Sequence, residues 1–300
     1  MSILVTRRAA LVGSVLAGAG LMGAGRALGP RPALSAVGDA TAARIGDLEA
    51  RYGGRVGVSA LDTGTGRRIE HRAGERFAMC STFKLLAAAH VLARVDRNEE
   101  RLDRRIVFQA SDLVSYSPAT ERRVGGEGMT MGEICAAAMT LSDNTAGNLL
   151  LASFGGPAGL TAYARSLGDP VTRLDRIETA LNEAAPGDPR DTTTPAAMLD
   201  DLCQLVLGPA LSEPSRAQLV AWLLDNRTGA RRLRAGFPAE WRVGDKTGTG
   251  DNGAAADVAM VWRPERTPLA VAVYWAESDT PFERRNQLFE DVARILAAIP

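Results

Sequence analysis

The sequence predicts an α/β (α+β) fold: an antiparallel five-stranded sheet flanked by helices, with an all-helical second lobe inserted into it. Segments of alternating apolar and polar residues, which favour strands, occur only near the two ends of the 300-residue chain. Helical spacing fills the middle, and short turns join consecutive strands, which indicates antiparallel pairing. We therefore expect an α/β lobe from about residues 37–80 and 226–300, and a helical lobe from about residues 81–225.

The individual elements follow in order along the chain. A first helix is predicted over residues 41–52, and Gly53 and Gly54 end it. Residues 62–66, rich in Thr and Gly, predict a turn that joins the first two strands as a hairpin. The predicted strands cover residues 55–61, 68–71, 241–246, 256–262 and 269–275. The further predicted helices cover residues 81–93, 131–139, 144–153, 159–167, 195–206, 215–224 and 282–298.

The composition argues against several classes of function. Hydrophobic residues make up 46% of the chain, enough to bury a sizeable core. The 35 basic and 35 acidic side chains cancel, and no basic block follows residue 40, so a nucleic-acid partner is not expected. Three cysteines, an odd number, imply no disulfide framework, and two histidines distant from any cysteine pair indicate no metal site. A small-molecule or peptide substrate fits this composition better, and we expect a monomer without a cofactor.

The first 36 residues resemble a twin-arginine signal peptide. Arg7 and Arg8 precede an apolar run over residues 9–25 that is rich in Gly and Ala. A membrane anchor is the alternative, but a run of 17 residues with several glycines is short for a stable span. We expect cleavage between residues 28 and 39, export to the periplasm or the medium, and no stable membrane association afterwards. Removal of residues 1–36 leaves 31 basic and 35 acidic side chains, a formal charge of −4.

Arginine outnumbers lysine 33 to 2, so the two lysines stand out. A GC-rich genome explains the general bias, because arginine then replaces lysine wherever either cation suffices. An ammonium differs from a guanidinium because it is compact and can lose its proton when it is desolvated. We therefore expect chemical roles for Lys84 and Lys246.

Two short motifs suggest a reactive serine. In Ser81-x-x-Lys84 the spacing of three residues places the amine beside the hydroxyl on one helix face, a nucleophile next to a base. A serine that caps the helix is the alternative. Ser142-Asp143-Asn144 lies between two predicted helices, where an N-cap is again the alternative.

A third motif, Lys246-Thr247-Gly248, ends a predicted strand, and the Thr and Gly that follow it allow a ligand to approach the strand edge. The three motifs, in this order, resemble the signature of class A β-lactamases and penicillin-binding proteins. The resemblance covers nearly the whole of residues 37–300 and implies a fold of the β-lactamase/transpeptidase type.

A fourth segment distinguishes the two families. Glu178 and Asn182 resemble the pair on the omega loop of class A β-lactamases that holds the deacylating water, a pair that penicillin-binding proteins lack. A carboxylate and an amide four residues apart can hold one water between them. The resemblance implies that Arg176 and Asp191 pair across the neck of the loop. Most family members have proline after the glutamate, where this chain has Thr179, and the resemblance implies a cis bond at that place.

The resemblance also implies how the substrate is held. The backbone N–H groups of Ser81 and Thr249 would form the oxyanion hole, and Ser142 would help to bind the substrate carboxylate. The two disulfides found in the family cannot form, because Gly250 and Ala88 occupy the partner positions of Cys80 and Cys135. The substrate-binding residues implied in this way are Asn144, Asn182, Lys246, Thr247, Gly248, Thr249, Tyr116 at the mouth of the site, and Arg232.

We therefore expect a class A-like serine β-lactamase that hydrolyses β-lactam antibiotics, with penicillins as expected and cephalosporins as further candidate substrates, and confers resistance to them. Ser81 would attack the lactam carbonyl, activated by Lys84 or by Glu178 through water. Ser142 would relay a proton to the leaving nitrogen, and Glu178 would then direct water onto the acyl-enzyme. The alternatives are a DD-peptidase, which keeps the acyl-enzyme for a peptide acceptor, and a β-lactam sensor, which binds covalently and signals.

Overall fold

The computed structural model describes residues 32–281 and 284–299, with side chains from residue 38 onward. The predicted signal peptide lies outside the described residues up to residue 31. The strands are β1 (Arg55–Asp62), β2 (Arg68–His71), β3 (Phe77–Ala78), β4 (Arg105–Ile106), β5 (Met129–Thr130), β6 (Thr192–Thr193), β7 (Arg242–Thr249), β8 (Ala255–Trp262) and β9 (Leu269–Ala276). The helices are α1 (Pro32–Tyr52), α2 (Phe83–Asp96), α3 (Met131–Thr140), α4 (Asn144–Ser153), α5 (Gly156–Ser166), α6 (Pro195–Val206), α7 (Glu213–Leu224), α8 (Leu233–Gly236) and α9 (Arg285–Ala297). Within the described ranges, no helix combines the length and the apolar character needed to cross a membrane.

Five of the strands form one antiparallel sheet in the order β2-β1-β9-β8-β7. Both ends of the chain contribute to it, since β1 and β2 precede the inserted lobe and β7 to β9 follow it. The five strand segments predicted near the two ends of the chain correspond to these strands, and the predicted fold is confirmed.

Helices cover both faces of the sheet. On one face Val58 and Val271 share a hydrophobic core with residues of α1 and α9. On the other face Met260 and Tyr274 belong to the core of the inserted lobe. Because both faces are buried, β8 and β9 are almost continuously apolar instead of alternating with polar residues.

Helix α2 forms the centre of the inserted lobe. Ten of its 14 residues are buried, which is typical of a helix surrounded by other elements. A 3-10 turn over Cys80–Thr82 leads into it, and Cys80 has a φ of 44°, outside the helical region. The sequence predicted that Ser81 opens the helix. The structure instead places Ser81 in this 3-10 turn, and α2 begins two residues later at Phe83, because the N–H of Thr82 donates to the carbonyl oxygen of Met79 three residues back, as in a 3-10 helix.

The inserted lobe also contains short strands, although the sequence predicted that it is all-helical. Strand β4 pairs with β5, and β6 pairs with β3 of the other lobe. Each of these strands has two residues, too few for alternation to be visible in the sequence. Helices α1 and α5 begin earlier than predicted, with Pro32 and Pro157 in their first turns, where a missing N–H costs no hydrogen bond.

Two buried carboxyl groups meet between α5 and α6. Asp169, just after α5, is 5% exposed, and Asp201 of α6 is 2% exposed. Asp169 Oδ2 and Asp201 Oδ2 are both buried without a hydrogen-bond partner among the described residues, and two carboxyl groups can hydrogen-bond to each other only when one of them carries a proton. Burial, and next the charge of Asp169, raise the pKa of Asp201 to about 9. We expect this pair to hold one shared proton at neutral pH.

Candidate active site

The amine of Lys84 lies at the centre of a buried cluster. The first turn of α2 brings Lys84 Nζ to 2.8 Å from Ser81 Oγ, as the spacing of three residues predicted. The same nitrogen is 2.8 Å from Glu178 Oε1 and 2.7 Å from Asn144 Oδ1. Glu178 Oε1 lies 3.3 Å from Ser81 Oγ. The structure therefore brings the predicted nucleophile together with both candidate bases.

Burial lowers the pKa of Lys84, because water no longer solvates its ammonium form. The charge of Glu178 and its hydrogen bond act in the opposite direction without outweighing burial. An amine with a lowered pKa beside a hydroxyl is suited to accept a proton. The hydroxyl of Ser81 caps no helix, since the partners of its Oγ are the side chains of Lys84 and Glu178.

The loop that carries Glu178 is closed at its neck. Arg176 Nε donates to Asp191 Oδ2 at 2.6 Å, which is the pairing that the resemblance implied. The peptide bond between Glu178 and Thr179 is cis, also as implied. Asn182 Nδ2 donates to Glu178 Oε2 at 2.6 Å, so the carboxylate and the amide face each other.

Asn148 of α4 holds the backbone of Glu178. Its Oδ1 accepts a hydrogen bond from the Glu178 nitrogen at 2.8 Å, and its Nδ2 donates to the Glu178 carbonyl oxygen at 2.9 Å. Sequence reasoning missed this residue. It lies four positions after Asn144 and therefore on the same face of α4, which is the signal that could have found it.

Asp143, not Ser142, caps α4. Asp143 Oδ1 accepts from the nitrogen of Ala146 at 2.8 Å, and its Oδ2 accepts from the nitrogen of Thr120 at 3.0 Å. The hydroxyl of Ser142 is thus left for the site, where Lys246 Nζ donates to it at 3.0 Å. The N-cap alternative therefore explains Asp143 but does not explain Ser142.

Lys246 is buried on β7. Burial, followed by the charge of Lys84, lowers the pKa of Lys246 well below its usual range, while Asp245 and Asp257 oppose this shift. An anionic group in the adjacent cleft would favour the charged form of this amine.

An open cleft of about 520 Å³ lies above these groups. Three of the predicted site residues, Lys84, Glu178 and Lys246, are buried and absent from its wall. The remaining nine line it: Ser81, Tyr116, Ser142, Asn144, Asn182, Arg232, Thr247, Gly248 and Thr249. Among residues 32–281 and 284–299, no group of three or more His, Cys, Asp or Glu side chains is placed to hold a metal ion.

Comparison with known proteins identifies the family. The model of the β-lactamase enzyme family matches residues 40–299. The chain is 52% identical over 253 residues to β-lactamase AST-1 of Nocardia asteroides, which covers 84% of this chain and 81% of that protein. It is 49% identical over 249 residues to β-lactamase Toho-1 of Escherichia coli, at 83% and 85% coverage. An ancestral (GNCA) class A β-lactamase superposes with a TM-score of 0.84 at 60% identity, covering 85% of this chain and 98% of that one.

The chain belongs to the class A β-lactamases. It is therefore a serine hydrolase of β-lactam antibiotics, an activity that confers resistance, and the predicted family, fold and enzyme class are confirmed.

Arg232 of this β-lactamase reaches the cleft from the residue before α8. It is buried, and its Nη1 donates to the carbonyl oxygens of Gly248 at 2.7 Å and Ala256 at 2.6 Å. Its Nη2 donates to Thr249 Oγ1 at 2.6 Å. The guanidinium thus lies beside the end of β7.

Three further residues of the β-lactamase line the cleft without having been predicted, Arg227, Thr228 and Asn286. Thr228 Oγ1 is 2.5 Å from Thr247 Oγ1, and Asn286 Oδ1 accepts from Arg232 Nε at 3.1 Å. No motif marks them: Arg227 and Thr228 lie in the loop between α7 and α8, and Asn286 lies in α9.

The cysteines of the β-lactamase form no disulfide among the described residues. Cys80, Cys135 and Cys203 are all free. Burial raises the pKa of the Cys80 thiol to about 12, so this thiol beside the predicted nucleophile is packed and unreactive.

Proposed function

We propose that Ser81 is the nucleophile of this β-lactamase and that Glu178 directs the water that releases the acyl group. The proposal is supported above all by one observation: Glu178 contacts Lys84, Ser81 and Asn182 at 2.8, 3.3 and 2.6 Å. One carboxylate is thereby close to the nucleophile and paired with an amide that can hold a water.

In acylation, Ser81 Oγ bonds to the lactam carbonyl carbon and its proton passes to a base. Lys84 is the better placed base, because its Nζ is 2.8 Å from Ser81 Oγ while Glu178 Oε1 is 3.3 Å away. The lowered pKa of Lys84 also favours proton acceptance. The C–N bond then breaks, and the nitrogen takes the proton of the Ser142 hydroxyl, which accepts a hydrogen bond from Lys246. Ser142 regains a proton from Lys84, whose Nζ is 2.9 Å from the Ser142 carbonyl oxygen, so the proton taken from Ser81 ends on the leaving nitrogen.

In deacylation, a water held by Glu178 and Asn182 attacks the ester carbon. Glu178 takes one proton from this water, the bond between Ser81 Oγ and the carbon breaks, and Glu178 passes the proton to Ser81 Oγ, which lies 3.3 Å from its Oε1. The two hydrogen bonds from Asn148 to the backbone of Glu178 support this step by fixing the carboxylate relative to the ester.

Substrate binding depends on the end of β7. The backbone N–H groups of Ser81 and Thr249 would donate to the developing oxyanion. The substrate carboxylate would be bound by Lys246, Thr247, Thr249 and Ser142, with the charge of Arg232 behind them. Asn144 and Gly248 would border the substrate, and Tyr116, whose side chain is 60% exposed, would cover it at the mouth of the cleft.

Peptide mapping by mass spectrometry after brief exposure to benzylpenicillin tests the nucleophile. We expect an adduct on the peptide that contains Ser81, and neither adduct nor turnover in Ser81→Ala. An adduct on another residue would contradict the proposal. A D-Ala-D-Ala peptide supplied with an amine acceptor should give no transfer product, which separates this enzyme from a DD-peptidase.

We also propose that residues 1–36 are a twin-arginine signal peptide and that the mature protein acts as an exported monomer, in the periplasm or outside the cell. The family match begins at residue 40, after this segment. Replacement of both Arg7 and Arg8 by lysine should retain the protein in the cytoplasm and abolish resistance of the host. Export that continues unchanged would contradict the signal assignment. Analytical ultracentrifugation of the mature chain should give a single species at the monomer mass.

A further inference from the structure

The turn that carries the nucleophile is held from the sheet by one tyrosine. We refer to residues 79–82 as the nucleophile turn. Tyr274 of β9 has no exposed surface, and its hydroxyl is 3.0 Å from Thr82 Oγ1. The hydroxyl of Thr82 donates its own proton to the carbonyl oxygen of Met79 at 2.8 Å. Tyr274 is therefore the donor in its contact with Thr82.

The nucleophile turn depends on such contacts. Cys80 has a φ of 44°, a region in which a residue with a Cβ is seldom found and which persists only when the surroundings fix it. On one side the nitrogen of Met79 donates to the carbonyl oxygen of Asp191 at 2.9 Å. On the other side the hydroxyl of Tyr274 hydrogen-bonds to Thr82. Ser81 therefore lies between two residues, Met79 and Thr82, that are held by hydrogen bonds.

Small residues flank Tyr274 on both neighbouring strands. Its cross-strand neighbours are Gly57 on β1 and Ala256 on β8. The ring of Phe77 packs beside it at 6.1 Å between centroids, and a Cβ on Gly57 would come within 2.4 Å of that ring. Burial raises the pKa of Tyr274, so its hydroxyl keeps its proton and remains a donor.

Strand β7 contacts the same turn. A Cβ on Gly248 would lie 2.7 Å from the carbonyl oxygen of Met79 and 3.3 Å from the nitrogen of Ser81. The distance between the N–H groups of Ser81 and Thr249 therefore depends on where the nucleophile turn lies. We propose that Tyr274 is a positioning residue of the oxyanion hole, which fixes the N–H of Ser81 relative to β7 through Thr82. This inference depends on the proposed function, in which Ser81 is acylated.

Tyr274→Phe tests the inference because it removes the hydroxyl and keeps the ring. We expect kcat/KM for a chromogenic cephalosporin to fall about three- to tenfold, the effect of one misplaced hydrogen bond in the transition state. Tyr163→Phe is the matched control. Tyr163 is also buried, and its hydroxyl has no partner among the described residues, so kcat/KM should stay within twofold of wild type.

A spectroscopic measurement distinguishes positioning from a general loss of structure. The acyl-enzyme accumulates in a Glu178→Ala background, where infrared difference spectra report the stretching frequency of the ester carbonyl. Adding Tyr274→Phe should raise this frequency, because hydrogen bonds from the oxyanion hole to the carbonyl weaken. Thr82→Val removes the same contact and should give the same shift, which covers the case in which Tyr274→Phe folds poorly.

The outcomes distinguish failure of the positioning role of Tyr274 from failure of the proposed acylation of Ser81. An unchanged carbonyl frequency overturns the positioning role even if the rates decrease, and so does a kcat/KM of Tyr274→Phe within twofold of wild type. Absence of any adduct on Ser81 in the wild type contradicts the proposed function itself, and the positioning role with it.

Discussion

Asp201→Asn tests the shared proton between α5 and α6. In the unfolded chain an aspartate releases its proton above a pH of about 4. In the folded protein burial beside Asp169 raises the pKa of Asp201 to about 9, so the proton is retained. Folding therefore takes up about one proton over this range. Stability must then fall as the pH rises, and the fall ends above the folded pKa, where both states have released the proton.

The size of the effect follows from the uptake of one proton. Each pH unit costs the wild type up to about 1.4 kcal/mol of unfolding free energy, or about 4 kcal/mol between pH 5 and pH 8. The amide introduced by Asp201→Asn can donate to Asp169 at any pH and does not titrate. The variant should therefore become progressively more stable than the wild type as the pH rises.

Guanidinium unfolding at pH 5, 6, 7 and 8 measures the difference between variant and wild type. Asp200→Asn is the matched control, because Asp200 is the neighbouring residue but has a side chain that is 57% exposed and pairs with Arg68. Its stability profile should run parallel to that of the wild type. If the profiles of Asp201→Asn and the wild type are also parallel, the pair shares no proton and the reasoning is refuted.

Three substitutions near the nucleophile should have separable effects. Lys84→Arg should slow acylation by about 10²- to 10⁴-fold in single-turnover measurements, because a guanidinium cannot accept the proton of Ser81; near-normal acylation would exclude Lys84 as the base. Lys246→Arg should mainly raise KM, by about tenfold in steady-state assays, and a fall in kcat alone would contradict a binding role. Asn148→Ala removes both hydrogen bonds to the Glu178 backbone and should lengthen the lifetime of the adduct about tenfold, measured by mass spectrometry. An unaltered lifetime would show that the loop does not need Asn148.

The sheet could be predicted because its strands are long enough to show their pattern. Four of its five strands have eight residues, and turn residues separate them. Strands β3 to β6 have two residues each and pair between segments that are distant in sequence, as Phe77 does with Thr193. Local patterns contain no information about such pairs.

The site could be predicted where its residues occur in short motifs. Ser81 and Lys84 are neighbours on one helical turn, and Glu178 and Asn182 are separated by four positions, so local geometry already brings each pair together. Asn148 was missed because it hydrogen-bonds to the backbone of a loop 30 residues away. Every residue has the same backbone groups, so the sequence of the loop does not indicate such a contact. The Asp169 and Asp201 pair was missed for a related reason: a single aspartate on a helix is ordinary until the fold places a second one against it.

The lifetime of the acyl-enzyme in Glu178→Ala tests the central claim most directly. Wild type and variant are mixed with benzylpenicillin, quenched at intervals and weighed by mass spectrometry. If Glu178 directs the deacylating water, the variant should accumulate a stoichiometric adduct on Ser81 that persists at least about 10²-fold longer than in the wild type, the range expected for removal of a general base. Equal adduct lifetimes in the two proteins would contradict the role assigned to Glu178.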